Sequence, residues 1–271
     1  MLKDEEHKTE NIYISNPTTG QIFVLPPFVG GAYSNTSGIA YASASMAYKV
    51  VLPISPGGGM KEKCYILTVG VDKSWRAVDL GHLSIEVTLA LRFPPVITEG
   101  FIHWLRAENN TVLTLNVETE TITKTPGPRP SRGILEHQVN IYLSTGKYLS
   151  LLRPCGEFSW QVWEMRPENG EWRKTGSVCL ESRRSQFERL RLTQPIGVLA
   201  RPLFFNLRTG LIPVGWVKYM ELLALSALYA FRSTIFIFNL VTGEFDEIEL
   251  PTYRAHYTIL LHKSSLAWLC G

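Results

Sequence analysis

Histidine is the residue most ready to hold a metal or move a proton near neutral pH, and this chain has six: His7, His82, His103, His137, His256 and His262. None lies two or four places from another, the spacing that sets two imidazoles side by side on a strand or a helix. His103, inside the apolar run FIHWL, is expected to be a hydrogen-bonded core residue. The cysteines Cys64, Cys155, Cys179 and Cys270 are scattered with no Cys-x-x-Cys pair, which points to reduced thiols, not to a disulfide framework or a zinc site. SPGGGMKEK clusters glycines ahead of a lysine, but no Gly-Lys-Ser/Thr follows, so it reads as a connection between strands and not as a phosphate cradle. No Gly-x-Ser-x-Gly elbow is present, and no serine or cysteine sits in a pattern that supplies an activating base. The expectation is a protein with no catalytic residue, no metal and no cofactor.

Arginine carries a different chemistry. ESRRSQFERLRL brings together Arg183, Arg184, Arg189 and Arg191, and TPGPRPSRG holds Arg129 and Arg132. Guanidinium groups in loops can grip carboxylate or phosphate in two-pronged contacts, so these six are the candidate protein-binding residues, for an acidic client segment. Solvated loops are the plain alternative. The tryptophans offer a second reading, since stacked aromatic rings hold sugars. Trp75, Trp104, Trp163 and Trp172 nevertheless fall at strand positions where core packing explains them, and Trp216 and Tyr219 stand outside that pattern.

The elements that position these groups follow from the hydrophobic pattern. At 271 residues, with 45% hydrophobic and 19% charged, the chain can bury a large core as one domain. A net charge of +3 gives no support to a nucleic-acid or membrane-surface role. The opening MLKDEEHKTE is charged throughout, reads as a disordered polar N-terminus over residues 1–10, and lacks the apolar core of a signal peptide. The most apolar stretch, residues 222–238, is broken by Arg232 and too short for a bilayer of about 30 Å. A cytoplasmic or nuclear protein is expected.

One hairpin outline recurs. FIFNLVTGEFDEIELP and YISNPTTGQIFVLPP each place an alternating apolar run, a Thr-Gly turn and a second alternating run in order, and LNVETETITKTP and FNLRTGLIPV are fainter copies. Gly20, Gly210 and Gly243 are the structural turn residues, each expected at positive φ where a Cβ would clash. Asn16, Asn206 and Asn239, four places earlier, can bond through the side-chain amide to the bend. In the copy that starts at Asn116, Glu120 replaces the glycine, which should strain that turn or change its length. ELLALSALYAF is read as strand despite its helix-favouring leucines and alanines. Hairpins apolar on both faces must stack, and the expected fold is all-β: a propeller of roughly six small antiparallel sheets over residues 11–271, with a β-sandwich as the alternative.

The order of the segments adds a resemblance. NPTTGQIFVLPP, AYKVV, YILTVGVDKSWRAV, GFIHWL, VLTLNVETETITKTP, GKYLSLL, WQVWEMRPENGEWRKTGSV and FIFNLVTGEFDEIEL follow the succession of plant F-box associated domains, the type that opens with an NPxTG…LP hairpin. The resemblance implies an irregular, kelch-like propeller and a non-catalytic role in capturing client proteins for ubiquitin ligases of the Skp1, cullin and F-box type. Members carry an F-box of some 45 residues ahead of this region, and the ten residues MLKDEEHKTE leave no room for it. A Skp1-type adaptor is therefore an expected partner only where the full-length protein supplies an F-box. A carbohydrate-binding or sugar-modifying propeller is the competing function, supported by tryptophan content and fold analogy alone.

Overall fold

The computed structural model describes residues 11–16, 18–28, 36–106, 110–128, 141–144, 147–156 and 159–185, with the strands 211–217, 222–229, 232–239 and 245–249 described as backbone. The chain divides into two compact units at Gly127/Pro128. The first holds β1 (Tyr13–Asn16), β2 (Gln21–Val24), β3 (Gly38–Ala42), β4 (Ala47–Ile54), β5 (Lys63–Thr68), β6 (Arg76–Ala77), α1 (Ile85–Thr88), β7 (Val96–Thr98), β8 (Phe101–Arg106), β9 (Thr111–Asn116) and β10 (Thr121–Pro126). The second holds β11 (Ile141–Ser144), β12 (Leu149–Gly156), β13 (Ser159–Arg166), β14 (Glu171–Cys179), β15 (Leu211–Val217), β16 (Leu222–Tyr229), β17 (Arg232–Asn239) and β18 (Phe245–Glu249).

The fold is all-β. Among the described residues β1 and β2 form a two-stranded sheet, and β3–β6, β7–β10, β11–β14 and β15–β18 form four-stranded ones. In each, order along the chain is order in space and every pairing is antiparallel. Such a meander is a propeller blade. A sandwich with Greek-key connections would place chain-distant strands side by side, and no described sheet contains such a crossover. ELLALSALYAF supplies β16, an inner strand between β15 and β17, so its pairing on both sides outweighs the helical propensity of Leu and Ala.

Strand alternation explains the core of the first unit. Val51, Ile66, Trp104, Leu113 and Leu115 are almost wholly buried and belong to one cluster joining the sheets β3–β6 and β7–β10. Each large aliphatic side chain so buried contributes about 1.5–3 kcal/mol. The helix α1 is a single turn followed by a 3₁₀ turn at Leu89–Arg92. Four residues cannot hold a helix by themselves. Burial of Ala90 and Leu91 in that same core supplies what the helix lacks. No described helix is long and apolar enough to cross a membrane.

Four of the hairpin loops share one geometry. Register pairs Asn16 with Gln21, Ala42 with Ala47, Asn116 with Thr121 and Arg166 with Glu171, leaving four residues in each loop. The last of the four is left-handed every time: Gly20 at φ +69°, Met46 at +51°, Glu120 at +57° and Gly170 at +70°. The Gly20 and Gly170 amides return to the carbonyls of Asn16 and Arg166, both at 2.8 Å. Asn16 Oδ1 accepts from the Thr18 amide at 3.0 Å, and Asn116 Oδ1 from the amides of Glu118 and Thr119 at 2.9 and 3.3 Å. The asparagine supports the bend in two of the four loops, Ala42 and Arg166 stand at that place in the others, and the turn keeps its length whether or not glycine ends it. Gly210 and Gly243 lie outside the described residues.

Candidate functional site

Two of the four hairpin loops lack glycine, 43–46 and 117–120, and they bond to each other. Glu118 Oε2 accepts from the backbone amides of Ala44 and Ser45 at 3.0 and 3.3 Å, so the carboxylate of one loop caps the other. Lys49 Nζ, on β4 and nearly buried, donates to Glu120 Oε1 at 2.8 Å and to the Glu118 carbonyl at 3.5 Å. Arg76 closes the group from β6. Its Nη1 bonds to Glu120 Oε2, one Nη2 contact reaches Glu120 Oε1 at 2.8 Å, and Nε and Nη2 reach Asp72 Oδ2 at 3.2 and 3.0 Å.

The charges tune one another. The Arg76 guanidinium, with Lys49, holds Glu120 below the usual carboxylate range, and Glu120 in turn raises Arg76. Partial desolvation would raise Asp72 and Glu118, but the Thr68 amide and Arg76 outweigh it for Asp72, and the Ser45 and Ala44 donors with Lys49 outweigh it for Glu118. All three carboxylates are thus kept ionised. This cluster fastens two sheets together; every charge in it is answered by another inside it.

Two groups able to do acid–base or nucleophilic work in the first unit, His103 and Cys64, are buried, whereas His82 is exposed with Nε2 3.0 Å from the Ile122 carbonyl. His103 is fully buried on β8, with Nε2 at 2.9 Å from Thr98 Oγ1 and Nδ1 at 3.0 Å from Thr114 Oγ1. A neutral imidazole has one donor and one acceptor nitrogen, which these two hydroxyls satisfy. Burial pushes its pKa down to about 3, so it stays neutral at physiological pH. Burial likewise pushes the Cys64 thiol up to about 12. Cys155 and Cys179 are exposed.

In the second unit, Trp160 and Leu151 are buried while Trp163 and Trp172 are half-buried. Trp163 and Trp172 share one face of the sheet with Tyr142, since the register aligns Tyr142, Leu151, Trp163 and Lys174 and side chains alternate along each strand. Tyr142 meets Trp172 edge-on at 6.1 Å, and the Arg153 guanidinium lies 5.4 Å from the Trp163 ring centre. The nearly buried Arg153 also donates to the Pro128 carbonyl at 2.8 Å. Of the other tryptophans, Trp104 is wholly buried and Trp75 donates to the Pro26 carbonyl at 2.9 Å. Trp216 lies on the backbone of β15, and Tyr219 is outside the described residues.

The candidate arginines divide by position. Arg183 ends the 3₁₀ turn Glu181–Arg183 that follows β14, and Arg184 comes next, its Nη2 on Glu181 Oε2 at 2.8 Å. Arg129, Arg132, Arg189 and Arg191 lie outside the described residues. A basic surface that sequence reading passed over lies on β14 itself. Arg173, Lys174, Thr175, Gly176 and Ser177 are consecutive and all exposed. At the start of that strand a cleft of about 440 Å³ is lined by Arg166, Glu171, Trp172 and Arg173. The run Arg173 to Ser177 is polar or small throughout and so has no alternation to mark it as strand.

Three solved proteins resemble the structure distantly. One is a protein from Lactobacillus plantarum, at a TM-score of 0.41 and 10% identity, with 91% of this chain and 67% of that one covered. Another is a putative 6-phosphogluconolactonase from Bacteroides uniformis, at 0.41 and 12%, covering 90% and 66%. A third is a putative 6-phosphogluconolactonase from Bacteroides fragilis, at 0.30 and 10%, covering 92% and 93%. No curated protein matches the sequence. The sequence does match the F-box associated beta propeller domain over residues 4–194, from ahead of the first hairpin to beyond β14, and the blade-like meanders are what that family requires: the chain belongs to the F-box associated beta propeller domain family.

Proposed function

We propose that the chain is a non-catalytic client-recognition domain of a ubiquitin ligase of the Skp1, cullin and F-box type, working in the cytoplasm or nucleus with residues 11–271 as its client-binding part. Membership of the F-box associated family carries this reading. The sealed state of His103 and Cys64 agrees with it, since neither can serve a reaction at neutral pH without the core opening. Rigid sheets with loops at their ends suit recognition, because the sheets supply the platform and the loops can vary without cost to the core. The loop arginines Arg129, Arg132, Arg183, Arg184, Arg189 and Arg191 are the proposed client contacts. Arg184 would exchange its Glu181 partner for a client carboxylate.

The test is proximity labelling in cells with the chain fused behind an F-box and with the chain alone. A client labelled by both forms, and co-purified with a Skp1-type adaptor only by the fused form, is the expected result. A client that depends on the F-box for contact would reject a recognition role for this domain. Binding to immobilised glycans in place of any protein would replace the reading with a carbohydrate-binding one.

A further inference from the structure

The strand β14 is nine residues long and stands at the end of its sheet, with β13 as its single hydrogen-bonded neighbour among the described strands. Among the described strands none pairs with its outward edge. The side chains from Arg173 to Ser177 are exposed, Gly176 has open space where a Cβ would be, and Thr175 is an extra residue between Lys174, opposite Trp163, and Gly176, opposite Val162, so the regular part of the edge runs from Glu171 to Lys174. An edge of this kind can accept an added strand.

Charge decides what that strand can be. Arg173 and Lys174 are neighbours in sequence and so point to opposite faces, and neither makes an ion pair among the described residues. Cations on both faces repel a second copy of β14 laid along the same edge, and they attract a strand carrying carboxylates. The cleft beside them continues the site around the edge. Trp172 comes from one face of the hairpin, while Arg166, Glu171 and Arg173 come from the other, since the register pairs Arg166 with Glu171.

We propose that β14 is a docking edge for an extended, acidic segment of a protein partner, which adds to the sheet β11–β14 as a fifth strand. Its carboxylates lie toward Arg173, Lys174 and Arg166, and one apolar side chain sits in the cleft against Trp172. The proposal rests on the reading of the chain as a client-recognition domain and names the chemistry of the client segment. It differs from the loop arginines in kind: the main-chain ladder supplies affinity, and the charges select the partner.

The probe is a capped eight-residue peptide, Glu-Val-Val-Glu-Glu-Val-Val-Glu, which sets glutamates on both faces of a strand, followed by fluorescence polarisation against the full chain. A second peptide, with proline in place of each valine, has the same charge and leaves no two successive ladder donors along either edge. The expected result is at least tenfold weaker binding of the proline peptide, and at least tenfold loss of the valine peptide on Arg173→Glu with Lys174→Glu, the thermal midpoint confirming that the variant folds. Hydrogen exchange should show slowed amides within β14 when the valine peptide is bound. Equal affinity for the two peptides, or no binding of either, would overturn the strand-addition proposal whatever the client turns out to be. A client that binds the wild-type chain and the Arg173→Glu, Lys174→Glu chain alike would overturn the edge as its site while leaving client recognition in place.

Discussion

Glu120 holds a left-handed conformation that costs an L-residue about 1–2 kcal/mol, at the position where Gly20 and Gly170 stand in sister turns. Its carboxylate is answered by Lys49 and Arg76, which explains why glycine is dispensable there: the side chain returns in ion pairs part of what the backbone loses. Glu120→Ala keeps the strain and discards the pairs, whereas Glu120→Gly discards both. Alanine is therefore expected to be the less stable variant, by about 1 kcal/mol in chemical unfolding; equal stability would mean that the strain is absorbed elsewhere. Glu120, Asp72 and Glu118 are all held below their ordinary values, so the stability they contribute is complete above about pH 4.5 and fades as the pH falls through their folded values. His103 acts over a higher window. Unfolded histidine takes a proton near pH 6.5 while the buried ring resists until about 3, so the unfolded state binds the extra proton between those values and stability declines as pH drops. His103→Gln should remove up to about 1.4 kcal/mol per pH unit of that slope, read from urea unfolding at pH 5 and 7.

At the scale of elements, the recurrent unit is a hairpin with a four-residue loop, and its placement depends on close approach between sheets. A Cβ at Gly38 on β3 would stand 3.2 and 3.3 Å from Ile102 methyl groups on β8 and 3.5 Å from Pro95. Gly38→Ala must push the facing sheets apart or force Ile102 from its rotamer, and is expected to cost about 1–3 kcal/mol in thermal or denaturant unfolding. A neutral outcome would show that the interface between β3 and β8 is looser than it looks. The turns at Gly20 and Gly170 were readable from Thr-Gly and Asn-Gly. The loop 43–46, Ser-Ala-Ser-Met, carries no turn residue at its left-handed position, and Met46 there gives no local sign of the bend. Its conformation is supported from another sheet, by the Glu118 carboxylate on the Ala44 and Ser45 amides.

For the whole molecule, recognition by loop arginines makes an electrostatic prediction. Reversing Arg183 and Arg184 to glutamate together should weaken association with an acidic client and flatten its dependence on salt, while each alone changes little, because one exposed charge pair contributes only about 0–1 kcal/mol. Unchanged affinity across a salt series in the folded double variant would move recognition off that loop. The sequence by itself determined the all-β class, the recurring hairpin, the place of His103 in the core and the family, because these rest on alternation, turn chemistry and motif order, all of which are local along the chain. Tertiary structure alone decided that Glu118 and Glu120 meet Ala44, Lys49 and Arg76 across some 44 to 74 positions of sequence, and that β14 ends its sheet with Arg173 and Lys174 exposed. Those facts depend on which sheets face each other and which strand is left without an outer neighbour. A strand's own residues cannot encode that, since an edge and an interior position share the same pleat and differ only in what lies beside them.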